Sequence, residues 1–264
     1  MHLMTLFLGL IFTISTLANP RDQLQVLTIE EPPFNFTNRA GELDGISVDA
    51  VKAIGHELGE SIDIEQIPWV RAYQMAETLP GVVLFTAARI QERESSFYWI
   101  MPVVQNSWGF FSLPENQKTI TSLQQLKNER AIGVLRGGAR EAYLKRHGFN
   151  NLVAATTYLQ LKKMLLKGRI SMFFFAKSGL MELGADKGNA VCVASSYEVV
   201  PPPSYIIMSK VTDAETVKRW RHAAAIIRSN GTYKAIAEKW ARQLSNECGA
   251  TAVYRNGLLD FSNQ

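Results

Sequence analysis

Short apolar runs along the chain alternate with stretches in which apolar residues recur every three or four positions. Residues 25–29 alternate weakly and predict a first strand, stopped by Glu30, Glu31, Pro32 and Pro33. After a polar turn at 39–45, Ser47 is the expected N-cap of a helix. Val48, Val51, Ile54 and Leu58 form its buried face and Gly59 its end. Residues 61–67 alternate as a second strand, 70–79 read as a helix, and 81–86 are a continuous apolar run suited to burial on both faces. The order repeats from Thr121: a helix at 122–127, a strand at 131–135, a helix opened by Gly137 and Gly138 and running to His147, a helix at 159–166, and a strand at 170–175.

Alternation of strand and helix in both halves predicts an α/β fold with two parallel-rich sheets and helices on both faces. A strand at 205–209 and helices near 213–229 and 232–244 come last, after Pro201, Pro202 and Pro203. Those helices have no later sheet to cover, so they are expected to pack back on the first half. The chain then crosses twice between two lobes, at 105–107 and 199–204, which makes a hinge with a cleft beside it. The expected division is 19–104 plus 205–248 in lobe 1, 108–198 in lobe 2, and a tail at 249–264 with no clear periodicity.

The first residues stand apart. Residues 1–18 contain no Asp, Glu, Lys or Arg, and their apolar run at 6–14 is shorter than the ~20 residues that span a bilayer. Thr16 and Ala18 place small side chains just before Asn19. This is the layout of a secretory signal peptide cleaved after Ala18, with an exported, soluble chain beyond it.

Composition narrows the class. With 47% hydrophobic and 20% charged residues the chain is neither disordered nor low-complexity, and two Cys exclude a multi-bridge scaffold or a four-cysteine zinc site. The net charge of +4 raises the question of nucleic acid. Yet the densest basic stretches, 140–146 and 162–169, are interrupted by apolar residues at helical spacing, and they read as solvated helix faces. No nucleic-acid partner is expected. No P-loop, G-x-G-x-x-G, G-x-S-x-G or H-E-x-x-H motif occurs, and His56, His147 and His222 lack a His or Cys at i+3 or i+4. No cofactor, metal or enzyme activity is expected from these features.

The chemistry that remains gathers at strand ends, where α/β proteins bind ligands. Glu30, Glu31 and Phe34 follow the first strand, Trp69 the second, and Thr86, Ala88, Arg89 and Arg93 the third. Trp69 offers a flat wall or a cation–π face. Arg89 or Arg93 can take a carboxylate in bidentate fashion, the alternative being a surface ion pair with Glu92 or Glu94. Amides at Gly138 and Ala139 open a helix and can receive an anion. Together they describe a cleft for a small carboxylate.

The ordered set Glu30–Phe34, 41–49, Pro68-Trp69, 86–93, 133–137, 166–170, 230–233 and Lys239-Trp240 resembles the bacterial family 3 extracellular solute-binding proteins over nearly the whole exported chain. That resemblance implies a monomeric periplasmic receptor with the two-lobe, type II periplasmic binding protein fold. It would capture an amino acid or related solute and deliver it to a membrane ABC permease. It also implies that Arg93 grips the ligand carboxylate, that Thr86, Ala88, Gly138 and Ala139 are contacts, and that Trp69 lies near a covering aromatic. It implies a Cys192–Cys248 disulfide as well. Some positions depart from the pattern. Ala176 stands where the family's amine-binding acid falls, and Ala88 and Ala139 replace hydroxyl residues. Glu30 or Glu31 must then supply the counter-charge, or the ligand carries no amine. Two other readings stay open: a dehydratase-like periplasmic enzyme with Glu30 or Glu31 as base, and delivery of ligand to a sensor or chemoreceptor.

Overall fold

A computed structural model describes residues 24–179, 194–244 and 251–262. The expected signal peptide at 1–18, and Cys192 and Cys248, lie outside the described residues. The first half carries β1 (Gln25–Thr28), β2 (Phe36–Thr37), β3 (Leu43–Asp44), α1 (Ile46–Leu58), β4 (Ile64–Gln66), α2 (Trp69–Thr78), β5 (Val82–Ala88) and β6 (Phe97–Gln105). The second carries β7 (Trp108–Ser112), α3 (Leu123–Leu126), β8 (Ile132–Leu135), α4 (Ala139–Arg146), β9 (Leu152–Ala155), α5 (Tyr158–Leu166), β10 (Met172–Ala176) and β11 (Ala194–Val199). Then come β12 (Ser204–Ser209), α6 (Ala214–Ser229), α7 (Thr232–Gln243), β13 (Val253–Arg255) and β14 (Leu258–Asp260).

Two sheets result. The larger runs β13-β14-β6-β12-β5-β1-β4 and the smaller β11-β7-β10-β8-β9. Both are mixed. β1 pairs in parallel with β4 and β5, and β8 with β9 and β10, as strand–helix alternation requires. β12 joins β5 and β6 antiparallel, and β7 joins β10 and β11 antiparallel. The strands of the two sheets are joined by residues 106–107 and 200–203.

Helices α1, α6 and α7 cover one face of the larger sheet, burying Val48, Val51, Ile54, Trp220 and Tyr233. Helix α2 covers the other with Ala72 and Ala76. In the smaller sheet Phe110 stacks on Phe174, centroids 4.4 Å apart. One expected cap is corrected. Gly45, not Ser47, is the N-cap of α1. Gly45 has φ 131°, and a Cβ there would lie 2.2 Å from the Phe34 carbonyl oxygen, so the chain needs glycine to enter the helix. Ser47 sits inside α1, fully buried, with its amide donating to Phe34 O at 3.0 Å.

Residues 251–262, which show no sequence period, form a hairpin in the larger sheet. β14 pairs in parallel with β6, Leu259 opposite Val104, and Phe261 meets Phe34 edge-on at 5.7 Å.

Candidate functional site

The C-terminal ends of β1, β5 and β8 meet between the lobes around a small cavity. Its walls include Ile29, Glu31, Phe34, Trp69, Thr86, Ala88 and Arg93 from the larger-sheet side. Leu135, Gly138, Ala139, Arg140 and Tyr158 face them from the smaller-sheet side, with Asn106 and Trp108 at the crossing. The free volume is about 30 Å³, room for a water or two. The lobes are closed on their own side chains.

Arg93 ends the short 3-10 turn Gln91–Arg93 and is only 5% exposed. Its guanidinium lies between the rings of Trp69 and Tyr73, 4.8 and 4.9 Å from their centroids. Its one backbone acceptor is Gly137 O across the cleft, at 3.4 Å. No carboxylate of the described residues forms an ion pair with it; Glu77 acts on it only through its field. Burial pulls the guanidinium below its ordinary value; Tyr73 opposes this and Arg140 adds to it. A buried cation held by aromatic faces, without a counter-ion, is poised for an anion.

The second cluster joins the lobes through charge. Arg140 Nη2 donates to Glu31 Oε1 at 3.0 Å, with the two side chains 12% and 9% exposed. It also bonds the Tyr158 hydroxyl, which in turn donates to Glu31 Oε1 at 3.1 Å. The Arg140 guanidinium lies 5.9, 5.6 and 5.5 Å from the rings of Trp108, Tyr158 and Phe175. Burial works to lower the Arg140 guanidinium, but the fields and hydrogen bonds of Tyr158 and Glu31 outweigh it and the net shift is upward. Burial also pushes the Tyr158 phenol well above its ordinary value, with Arg140 opposing. Both residues stay in their ordinary protonation states at neutral pH.

Trp69 Nε1 donates to Gly137 O at 2.8 Å, a further inter-lobe bond. Gly137 has φ 68°, and a Cβ there would press on Val70 at 3.3 Å and approach Trp69, so glycine permits the close approach of the lobes.

The sequence pattern of the bacterial extracellular solute-binding proteins, family 3, matches residues 24–243. The chain belongs to that family. The arginine-binding periplasmic protein of Mannheimia haemolytica is 24% identical over 245 residues, covering 90% of this chain and 97% of that protein. Two solved structures share the architecture. An ancestral arginine-binding protein bound to arginine superposes with TM-score 0.71 at 20% identity, over 82% of this chain and 97% of its own. A histidine kinase sensor domain with similarity to periplasmic binding proteins gives 0.74 at 19% identity, over 84% and 97%. At these identities the likeness is one of fold, the two-lobe type II arrangement.

In this family 3 member the cavity gathers Glu31, Phe34, Trp69, Thr86, Ala88, Arg93, Gly138 and Ala139, all expected at strand ends. Arg89 is the exception and is corrected. It lies outside the cavity, donates through Nε to Glu94 Oε2 at 2.9 Å, and rests 5.1 Å from the Trp99 ring. Hydrogen bonding to Glu94 and Tyr205 raises its guanidinium further. Glu30, past the end of β1, also turns away, accepting from Gln66 Nε2 at 2.6 Å. Thr86 lines the cavity but spends its hydroxyl on Asn35 and Ser47. The Gly138 amide donates to Leu135 O at 3.1 Å, and the first intrahelical bond of α4 runs from the Ala142 amide to Gly138 O, so Ala139, Arg140 and Glu141 are the first-turn donors without an intrahelical acceptor.

Arg140 overturns the reading of 140–146 as a solvated face. It sits one position into α4, just past a strand end, so its side chain reaches back over the cleft. Its distance from Gly137 and Gly138 was the signal available in the sequence. Tyr158, first residue of α5, carried no such signal.

Proposed function

We propose that this chain captures a small carboxylate-bearing solute, an amino acid or close relative, between its lobes and delivers it to an ABC permease. The observation that carries this reading is Arg93, a buried guanidinium stacked between Trp69 and Tyr73 at the cavity, with no acid of the described residues paired to it. An incoming carboxylate supplies that counter-charge. The amino-acid ligands named for the arginine-binding relatives support the solute class. Export to the periplasm after cleavage at Ala18, a monomeric state and a Cys192–Cys248 bridge complete the proposal. Glu31 already accepts from Arg140 and Tyr158, which argues against a general base there. The likeness to a histidine kinase sensor domain supports a second reading, delivery of the ligand to a sensor.

A thermal-shift panel of amino acids and small organic acids tests the proposal. A true ligand at a hundredfold excess over Kd stabilises by about 2.7 kcal/mol. Arg93→Ala is expected to remove the shift while the far-UV circular dichroism is unchanged. A full shift in that variant takes Arg93 out of the site.

A further inference from the structure

We infer that the ligand is an acidic amino acid, and that Arg140 is the residue selecting its second carboxylate. The inference rests on the proposed function and narrows it. It starts from charge. Among the cavity-lining residues the ionised side chains are Arg93, Arg140 and Glu31, so the lining carries one net positive charge. A neutral amino acid leaves that charge uncompensated in a site that excludes water, and a basic one doubles it. A molecule with two carboxylates and one ammonium cancels it and offers each of the three side chains an opposite partner. One carboxylate meets Arg93, the ammonium meets Glu31, and the second carboxylate meets Arg140.

The geometry agrees. Arg140 stands in the cavity wall on the smaller-sheet side. It is flanked by Trp108, Tyr158 and Phe175 and bonded to Glu31 and Tyr158. An arginine or lysine ligand would bring a second cation against a largely buried guanidinium of the same charge. The acidic ligand instead opens the Glu31–Arg140 pair and replaces each partner with one of its own groups. Ala176 supplies no acid for an amine, which leaves Glu31 as the sole carboxylate in the lining.

Isothermal titration and thermal shift with L-glutamate, L-aspartate, glutarate, L-glutamine and L-arginine test this on the full exported chain. Wild type is expected to bind glutamate or aspartate at least about 30-fold more tightly than glutamine, the worth of one desolvated charge-assisted bond pair. Arg140→Gln is expected to lose that preference and to hold glutamine as well as glutamate. Glu31→Gln gives a second readout if Arg140→Gln folds poorly. It should weaken glutamate by about tenfold, one charged hydrogen bond, and leave glutarate equal or tighter. Glutamine or arginine binding wild type as tightly as glutamate overturns the inference. If that binding still vanishes in Arg93→Ala, the proposed function stands without it. No shift with any carboxylate overturns both.

Discussion

Thr86 holds a backbone that its branched side chain disfavours. Its φ is 64°, in the left-handed region where β-branched residues are rare. The bonds of its hydroxyl to Asn35 and Ser47 hold it there, where the strand meets the cavity. None of this was legible in the sequence, because it depends on side chains 39 and 51 positions away. The residues alone left open which of Arg89 and Arg93 faces the cavity, and only the family resemblance pointed to Arg93. Both lie beside acids in the sequence; only the turn over Gln91–Arg93 sends one inward and the other out to Glu94. The buried phenols make a prediction at this scale. Tyr158 and Tyr233 are pushed up by burial, Tyr158 with Arg140 in opposition. An unfolded phenol titrates near 10. Their contribution is therefore complete below about pH 10 and is lost as pH climbs toward the folded values. The urea midpoint of wild type should fall steeply between pH 9.5 and about 11.5, and the fall should be shallower in Tyr158→Phe and Tyr233→Phe.

Among elements, the helices and the inner parallel strands were legible because each rests on a local pattern. Continuous apolar runs such as Val82–Ala88 and Met172–Ala176 belong to strands covered on both faces. β6 and β7 were not, because aromatic and apolar residues fall on both sides of each and Pro102 interrupts the first. β13 and β14 are three residues each, too short to show a period, and their pairing is wholly non-local. Their weight in the fold is nonetheless large. Leu259 and Phe261 are fully buried. Phe261→Ala is expected to lose about 3–5 kcal/mol, the usual result of emptying a phenylalanine site in a core. Equilibrium urea unfolding measures it, and a change below about 1 kcal/mol would mean that the tail does not pack against Phe34 as described.

At the scale of the whole molecule, the lobes are held together by side-chain bonds across the cleft, among them Arg93–Gly137 and Tyr158–Glu31. Glu92–Arg146, at 2.6 Å, is exposed on both sides and contributes little. Trp69–Gly137 and Glu31–Arg140 are sheltered and decide the balance. Trp69→Phe keeps the ring's bulk over Arg93 but removes the donor to Gly137. Small-angle scattering of the ligand-free variant should show a larger radius of gyration than wild type, and saturating ligand should close the gap. An unchanged radius would assign closure to other contacts. The two-lobe plan was legible from strand–helix alternation and from two late helices without a sheet. The closure was not, since it is made by residues 68 and 109 positions apart.

The placement of β14 beside β6 has a consequence for biosynthesis. The smaller sheet is drawn from one stretch of chain between Trp108 and Val199. The larger sheet holds both β1 and β14, the first and last of the described strands. As the polypeptide emerges from its N-terminus, the smaller lobe has all its strands while the larger one still lacks β12, β13 and β14. The larger sheet stays without the β14 strand beside β6 until residues 251–262 are delivered. A chain that stalls or is clipped just before them therefore presents the open β6 edge, a template for pairing with its neighbours.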